Sequence, residues 1–114
     1  MQNDFRVDVR AEGRTAVVVV TGELDLASSP ELEGKLDEVW SSDADQLVID
    51  LRALEFMDST GLSIIVGAHQ RLAETGRKLS VVKGPPQVQR LLDLTGVSER
   101  LRLVDTPEEV LTGG

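Results

Sequence analysis

The sequence predicts an α/β fold in which a mixed β-sheet of about five strands is covered by about four helices. Runs of β-branched and other aliphatic residues at 17–20 and 47–51 are typical of strands buried on both faces. Amphipathic segments of helical period follow such runs, as expected of helices that pack on a sheet. The predicted element order is β-β-α-β-α-β-α-β-α, in a single domain over residues 1–114 with its core at about 5–111.

The first two strands are expected to form an antiparallel hairpin. Phe5, Val7 and Val9 alternate with charged residues, which is the period of a half-exposed strand. Residues 11–14 can turn the chain into the buried run at 17–20, so the two strands become neighbours in the sheet.

Three further strands are expected at 47–51, 79–82 and 101–104. A single helical segment precedes each of them. Because strands joined by one helix pair in parallel through right-handed crossovers, the rest of the sheet is expected to be parallel.

The first and third helices are predicted from apolar residues at helical spacing as well as from their ends, and the last helix from its start. Ser28 or Ser29 can cap the first helix. A short third helix is expected to end near Gly96, since glycine suits the left-handed position after a helix. Residues 106–109 read as a capping box that opens the last helix.

The second helix is predicted over 59–75 from the spacing of its apolar residues. Its buried face is expected to comprise Leu62, Ile65, Val66, His69, Leu72 and Ala73. A solvated charged face is expected from Arg71, Glu74, Arg77 and Lys78. Trp40, at the end of the first helix, is expected to be a packing residue.

Composition excludes several classes of function. The formal net charge of -8 disfavours nucleic acid and anionic membranes as partners, because both attract basic surfaces. The chain has no cysteine, so it has no thiol nucleophile, disulfide or zinc–thiolate site. It shows neither a signal-peptide core nor an apolar run long enough to span a bilayer. We expect a soluble cytoplasmic protein without metal or cofactor.

The sequence also argues against an enzyme. A Ser–His–Asp hydrolase would need Ser59 and His69 in contact, but they lie ten residues apart on one predicted helix, about 15 Å along its axis. Glu23 and Asp25 alternate along a strand and so point to opposite faces, which disfavours a catalytic acid pair. No phosphate-binding glycine loop is present. No catalytic residue is therefore assigned.

The stretch DSTG at 58–61 allows three interpretations: a helix cap, a nucleophile or a site of modification. Asp58 or Ser59 can accept hydrogen bonds from the first helical turn. A cap leaves Gly61 unexplained, because glycine weakens a helix unless something must approach it closely. A phosphate on Ser59 would add a charge of about −1.5 to −2. Its position at a helix N-terminus favours that anion, so the fold is expected to survive modification.

Two motifs in the correct order resemble those of the STAS domain in bacterial anti-sigma factor antagonists. VIDLRALEFMDSTGLSIIVGAHQRL is similar to the family's strand followed by D-S-[ST]-G-[LI] at a helix start. VTGELDLASSPEL resembles the family's G-E-L-D strand end, and LLDLTGVSERLRLVDTPEEVL resembles its closing elements. The resemblance covers residues from about 5 to 111.

The resemblance implies a switch between partners. The unphosphorylated protein would bind an anti-sigma factor serine kinase and free a sigma factor. Phosphorylation of Ser59 by that kinase would end binding, and a PP2C-type phosphatase would reset the switch. The implied docking residues are Asp25, Asp58, Ser59, Thr60 and Gly61, with Thr60 as a second phosphate acceptor beside Ser59, which holds the family position. For Asp25, a turn or cap before the first helix is the competing interpretation.

The resemblance also allows other functions of the same fold. STAS domains also serve as constitutive scaffolds or as accessory subunits of stress-sensing and lipid-transport complexes. Nucleotide binding is a third alternative that the resemblance allows, although no phosphate loop supports it.

Overall fold

The structure, a computed structural model, describes residues 4–111. Those residues form six strands and four α-helices. The strands are β1 (Arg6–Glu12), β2 (Thr15–Leu24), β3 (Gln46–Asp50), β4 (Leu54–Met57), β5 (Lys78–Val82) and β6 (Arg102–Val104). The helices are α1 (Ser29–Trp40), α2 (Ser59–Glu74), α3 (Pro86–Leu94) and α4 (Glu108–Leu111), with a 3-10 turn at Val97–Glu99.

The strands form one mixed sheet in the order β1-β2-β3-β5-β6. β1 and β2 form the predicted antiparallel hairpin, in which Val9 lies opposite Val18. β2 pairs in parallel with β3, β3 with β5, and β5 with β6. The predicted fold class is therefore confirmed.

The predicted element order is wrong at one place, because the structure contains a sixth strand. β4 lies between β3 and α2 and pairs in parallel with the carboxyl half of β2. The segment is four residues long, and its two inner residues, Glu55 and Phe56, are exposed while its ends are buried. It therefore shows neither the alternation nor the continuous apolar run from which strands are recognised.

A large aliphatic core fills the space between the sheet and helices α1, α2 and α3. Val17, Val18 and Val20 are fully buried, as the continuous apolar run predicted. A smaller cluster on the other face contains Val17 and Val110, the latter from α4. Within residues 4–111, no helix combines the length and the apolar character needed to cross a membrane.

The ends of the helices follow the predicted turn chemistry. Gly76 and Gly96 lie just beyond α2 and α3 with φ of 73° and 77°, the left-handed region that favours glycine. The Glu109 carboxylate accepts from the backbone N–H of Thr106 at 3.0 Å, which is the carboxylate half of the predicted capping box.

The buried face of α2 differs from the predicted one. It comprises Gly61, Ile65, Ala68 and Leu72, whereas Ala73 is exposed. Two of the buried residues are small, so the helix approaches the sheet closely. A prediction from the size of apolar side chains places large residues in the core before glycine. It therefore could not show that the face of α2 with Gly61 and Ala68 is turned toward the sheet.

Gly61 is the closest point of that approach. A Cβ atom at this position would lie 2.7 Å from two side-chain carbons of Leu24 and 2.8 Å from one of Met57. Both neighbours are buried, so they have little room to move. The predicted close approach is thus made by the chain's own strands β2 and β4.

We expect Gly61→Ala to lower the free energy of unfolding by about 1–3 kcal/mol, because the added methyl group overpacks this contact. Gly67→Ala is the matched control, since Gly67 is exposed on the same helix and has no neighbour within 4 Å of its Cβ position. The control should raise stability by about 0.5–1 kcal/mol through helix propensity. Urea denaturation of both variants checks the pair, and a stabilising Gly61→Ala would contradict the packing role.

Candidate functional site

The two motif segments meet at the carboxyl edge of the sheet. β2 and β4 end side by side, with Leu24 opposite Met57. The next backbone N–H, that of Asp58, donates to the carbonyl of Leu24 at 3.2 Å. The loop that follows β2 and the first turn of α2 therefore lie next to each other, although more than thirty residues separate them in sequence.

Asp58 is the residue that caps α2. Its backbone is extended, and its Oδ1 accepts from the N–H of Thr60 at 2.9 Å and of Gly61 at 3.3 Å. These are donors that a helix start otherwise leaves without partners. Of the two residues considered as a cap, the structure assigns the role to Asp58.

Ser59 is consequently not needed for capping. It is the first residue of α2 and is exposed. Within residues 4–111, its hydroxyl has no hydrogen-bond partner. Two of the N–H groups expected to favour a phosphate at this position are already bound by Asp58. An added phosphate would therefore lie beside a carboxylate and point its charge at solvent or at a bound partner.

Thr60 faces a groove between α1 and α2. The groove has a volume of about 400 Å³, and Thr60, Trp40, Gly67 and Arg71 are among its lining residues. The Arg71 guanidinium carbon lies 4.9 Å from the centre of the Trp40 ring, a cation–π contact. Trp40 packs against the core as predicted, but Arg71 is more than a member of a solvated charged face.

Gly61, also predicted to dock a partner, lies behind the exposed surface. It is buried, and its lack of a side chain is explained by packing against β2 and β4. Its contribution to the site is to let α2 begin close to the sheet, which brings Ser59 next to the loop after β2.

Asp25 is half-buried and organises that loop. Its Oδ1 accepts from the N–H of Ser28 at 3.0 Å, and its own N–H donates to the Ser28 Oγ at 2.9 Å. Ser28 occupies the N-cap position of α1 but makes no side-chain cap hydrogen bond. The structure therefore supports the second interpretation of Asp25, as a residue of the turn before the first helix. Its contact with a partner stays a prediction.

Two apolar side chains near the site were missed by sequence reasoning. Leu26, in the loop next to Asp25, is 74% exposed, and Phe56, near the end of β4, is 47% exposed. Single exposed apolar side chains are common on protein surfaces, and these two are notable for lying close in sequence to Asp25 and Asp58. The sequence did contain one indication of this surface, because Leu26 is an apolar residue between a strand end and a helix cap.

The geometry gives no support to a catalytic serine. His69 lies on α2 itself, ten residues beyond Ser59, so about 15 Å of helix separates them. Within the described part of the chain, no group of three or more histidine, cysteine, aspartate or glutamate residues is arranged to hold a metal ion. What the site offers is an exposed hydroxyl on a rigid helix start.

Known proteins are similar to this chain in sequence and in fold. The family model of the STAS domain matches residues 6–110. The anti-sigma-F factor antagonist RsfB of Mycobacterium tuberculosis is 34% identical over 111 residues, which cover 97% of this chain and 90% of RsfB. The crystal structure of an anti-sigma factor antagonist from Mycobacterium paratuberculosis has a TM-score of 0.88 at 32% identity, covering 96% of this chain and 93% of that one.

The anti-sigma factor antagonist SpoIIAA has the same fold at lower identity. Its unphosphorylated form has a TM-score of 0.80 at 20% identity, covering 93% of each chain. Its phosphorylated form, from Bacillus, has a TM-score of 0.74 at 19% identity, covering 94% of this chain and 97% of that one. The family match and the identity to RsfB carry the assignment: the chain belongs to the STAS domain family, and these relatives are anti-sigma factor antagonists.

Proposed function

We propose that this protein is an anti-sigma factor antagonist switched by phosphorylation of Ser59. The unphosphorylated form binds an anti-sigma factor serine kinase in the cytoplasm and thereby releases a sigma factor. The kinase then phosphorylates Ser59 and dissociates, and a PP2C-type phosphatase restores the binding form. The observation that carries the proposal lies at the start of α2. There Asp58 caps the helix, and Ser59 is exposed.

The docking surface in this proposal consists of the loop at 25–28 and the first turn of α2. The hydrogen bond from Asp58 to Leu24 fixes the two segments against each other. Leu26 supplies apolar area that a partner can cover, and Asp25, Asp58 and Thr60 supply the polar rim. A partner on this surface covers Ser59.

The effect of the phosphate in this proposal is electrostatic. At neutral pH it adds a charge of about −1.5 to −2 beside the Asp58 carboxylate. Because Asp58 occupies two N–H donors of the first turn, those donors cannot also neutralise the phosphate. A charge buried in an interface without a partner is strongly unfavourable, so the complex dissociates while the fold persists.

The relatives support this role. RsfB and the Mycobacterium paratuberculosis protein are anti-sigma factor antagonists of similar length and sequence. SpoIIAA keeps the fold of this chain in both its unphosphorylated and its phosphorylated form. That behaviour agrees with a switch that changes a surface and preserves the scaffold.

Stability measurements can separate the cap from the switch. We expect Asp58→Ala to lower the free energy of unfolding by about 1 kcal/mol, because two N–H groups lose their acceptor. Ser59→Ala should change stability by less than about 0.5 kcal/mol, since the Ser59 hydroxyl bonds to nothing within residues 4–111. Chemical denaturation of both variants makes the comparison. Equal losses would show that Ser59 shares the capping role.

Binding measurements test the switch itself. We expect Ser59→Asp to weaken binding to the host's anti-sigma factor serine kinase by about tenfold or more, because the new carboxylate is desolvated in the interface. Ser59→Ala should bind like the wild type and accept no phosphate from the kinase. The partner is first isolated from host extract on the immobilised wild-type protein, and affinities are then measured by calorimetry.

Ser41→Asp is the charge-matched control, because Ser41 is exposed at the far end of α1. It should leave the affinity unchanged. If Ser59→Asp binds as tightly as the control, Ser59 is not the switch. Capture of the same transport ATPase or scaffold by both variants would instead indicate a constitutive STAS function.

A further inference from the structure

A pocket rich in cationic side chains lies at the other end of the molecule from Ser59. It has a volume of about 410 Å³ and is formed by the last turns of α2 and the amino ends of β5 and β6. The basic residues among its lining are His69, Arg77, Lys78, Arg100 and Arg102. The sheet edge that carries this pocket is opposite the carboxyl edge that carries Ser59.

This concentration of positive charge is unexpected in so acidic a chain. The sequence has 12 lysine and arginine residues against 20 aspartate and glutamate residues. Most cations elsewhere have a carboxylate partner, as in the pairs Arg6–Asp8, Arg10–Glu12, Arg14–Asp45, Lys35–Glu38, Arg52–Asp50 and Lys83–Asp105. Within residues 4–111, Lys78, Arg100 and Arg102 form no ion pair with a carboxylate.

Asp45, whose charge acts on Arg77, is already paired with Arg14. Asp45 accepts from Arg14, and this hydrogen bond holds the pKa of the Asp45 carboxyl below its usual value. Arg77 donates to the carbonyl of Ala44 at 3.3 Å and to the Thr75 hydroxyl at 3.0 Å, so its position is fixed. Like charges brought together without ion-pair partners oppose folding.

We propose that this pocket binds a compact soluble polyphosphate anion. Arginine forks and a lysine ammonium are the side chains that recognise phosphate oxygens, and several of them converge on a volume suited to a small ligand. The remaining lining residues, Ala73 and Leu79, carry no carboxylate that would repel an anion. The site is separate from the Ser59 surface and does not depend on the proposed switch.

A soluble ligand fits the charge of the protein better than an anionic membrane does. The net charge of -8 repels an anionic bilayer, whereas a small anion meets only the local field of the pocket. A multivalent anion also gains more than a single carboxylate from cations grouped around one cavity.

The test is calorimetric titration of the whole protein with inorganic tripolyphosphate at low ionic strength. We expect saturable 1:1 binding that weakens as salt is added. Arg100→Gln and Arg102→Gln should each reduce the affinity about tenfold. Arg90→Gln, an exposed residue on α3 outside the pocket, removes the same charge and should have no effect. Thermal melting of each variant confirms that the fold is retained.

Absence of saturable binding would overturn the proposal, as would equal weakening by Arg90→Gln. Tighter binding of a polyglutamate peptide than of tripolyphosphate would assign the pocket to an acidic protein segment and also overturn it. Co-sedimentation with phosphatidylglycerol vesicles that Arg102→Gln abolishes would assign the pocket to a membrane. That result would also overturn the proposal.

Discussion

Asp58 makes the hydrogen bonds that set the geometry of the whole site. Its N–H joins the start of α2 to the carbonyl that ends β2, and its carboxylate caps the helix. One residue thereby fixes where the helix begins, which way it leaves the sheet and which loop lies beside it. Ser59 follows directly and needs no structural partner, so its hydroxyl is available for chemistry by another protein.

The start of α2 beneath Ser59 is held in place by tight packing as well as by these hydrogen bonds. Gly61 lets α2 contact Leu24 and Met57 directly, and all three are buried. A helix start packed this tightly cannot shift far when a new charge is added to it. Modification of Ser59 is therefore expected to change the electrostatics of the surface, while the exposed apolar Leu26 remains in place beside it.

Much of this arrangement could be predicted from the sequence, because it depends on local chemistry. The apolar run at 17–20 indicated a buried strand, and DSTG indicated a helix start with either Asp58 or Ser59 as its cap. What escaped prediction depends on contacts across the fold. β4 is recognisable only through its pairing with β2, and the burial of Gly61 only through its contact with Leu24. The cationic pocket likewise joins residues of α2 to Arg100 and Arg102, about thirty positions later, which no local pattern can reveal.

In the proposed switch, phosphate on Ser59 changes a surface and leaves the fold intact. The most direct test is an NMR comparison of amide shifts and hydrogen exchange in the unmodified protein and in protein carrying genetically encoded phosphoserine at position 59. We expect shift changes confined to the loop at 25–28 and the first turns of α2, with the exchange protection of α2 unchanged. Loss of protection in α2, or shift changes spread through β2 and β4, would contradict it.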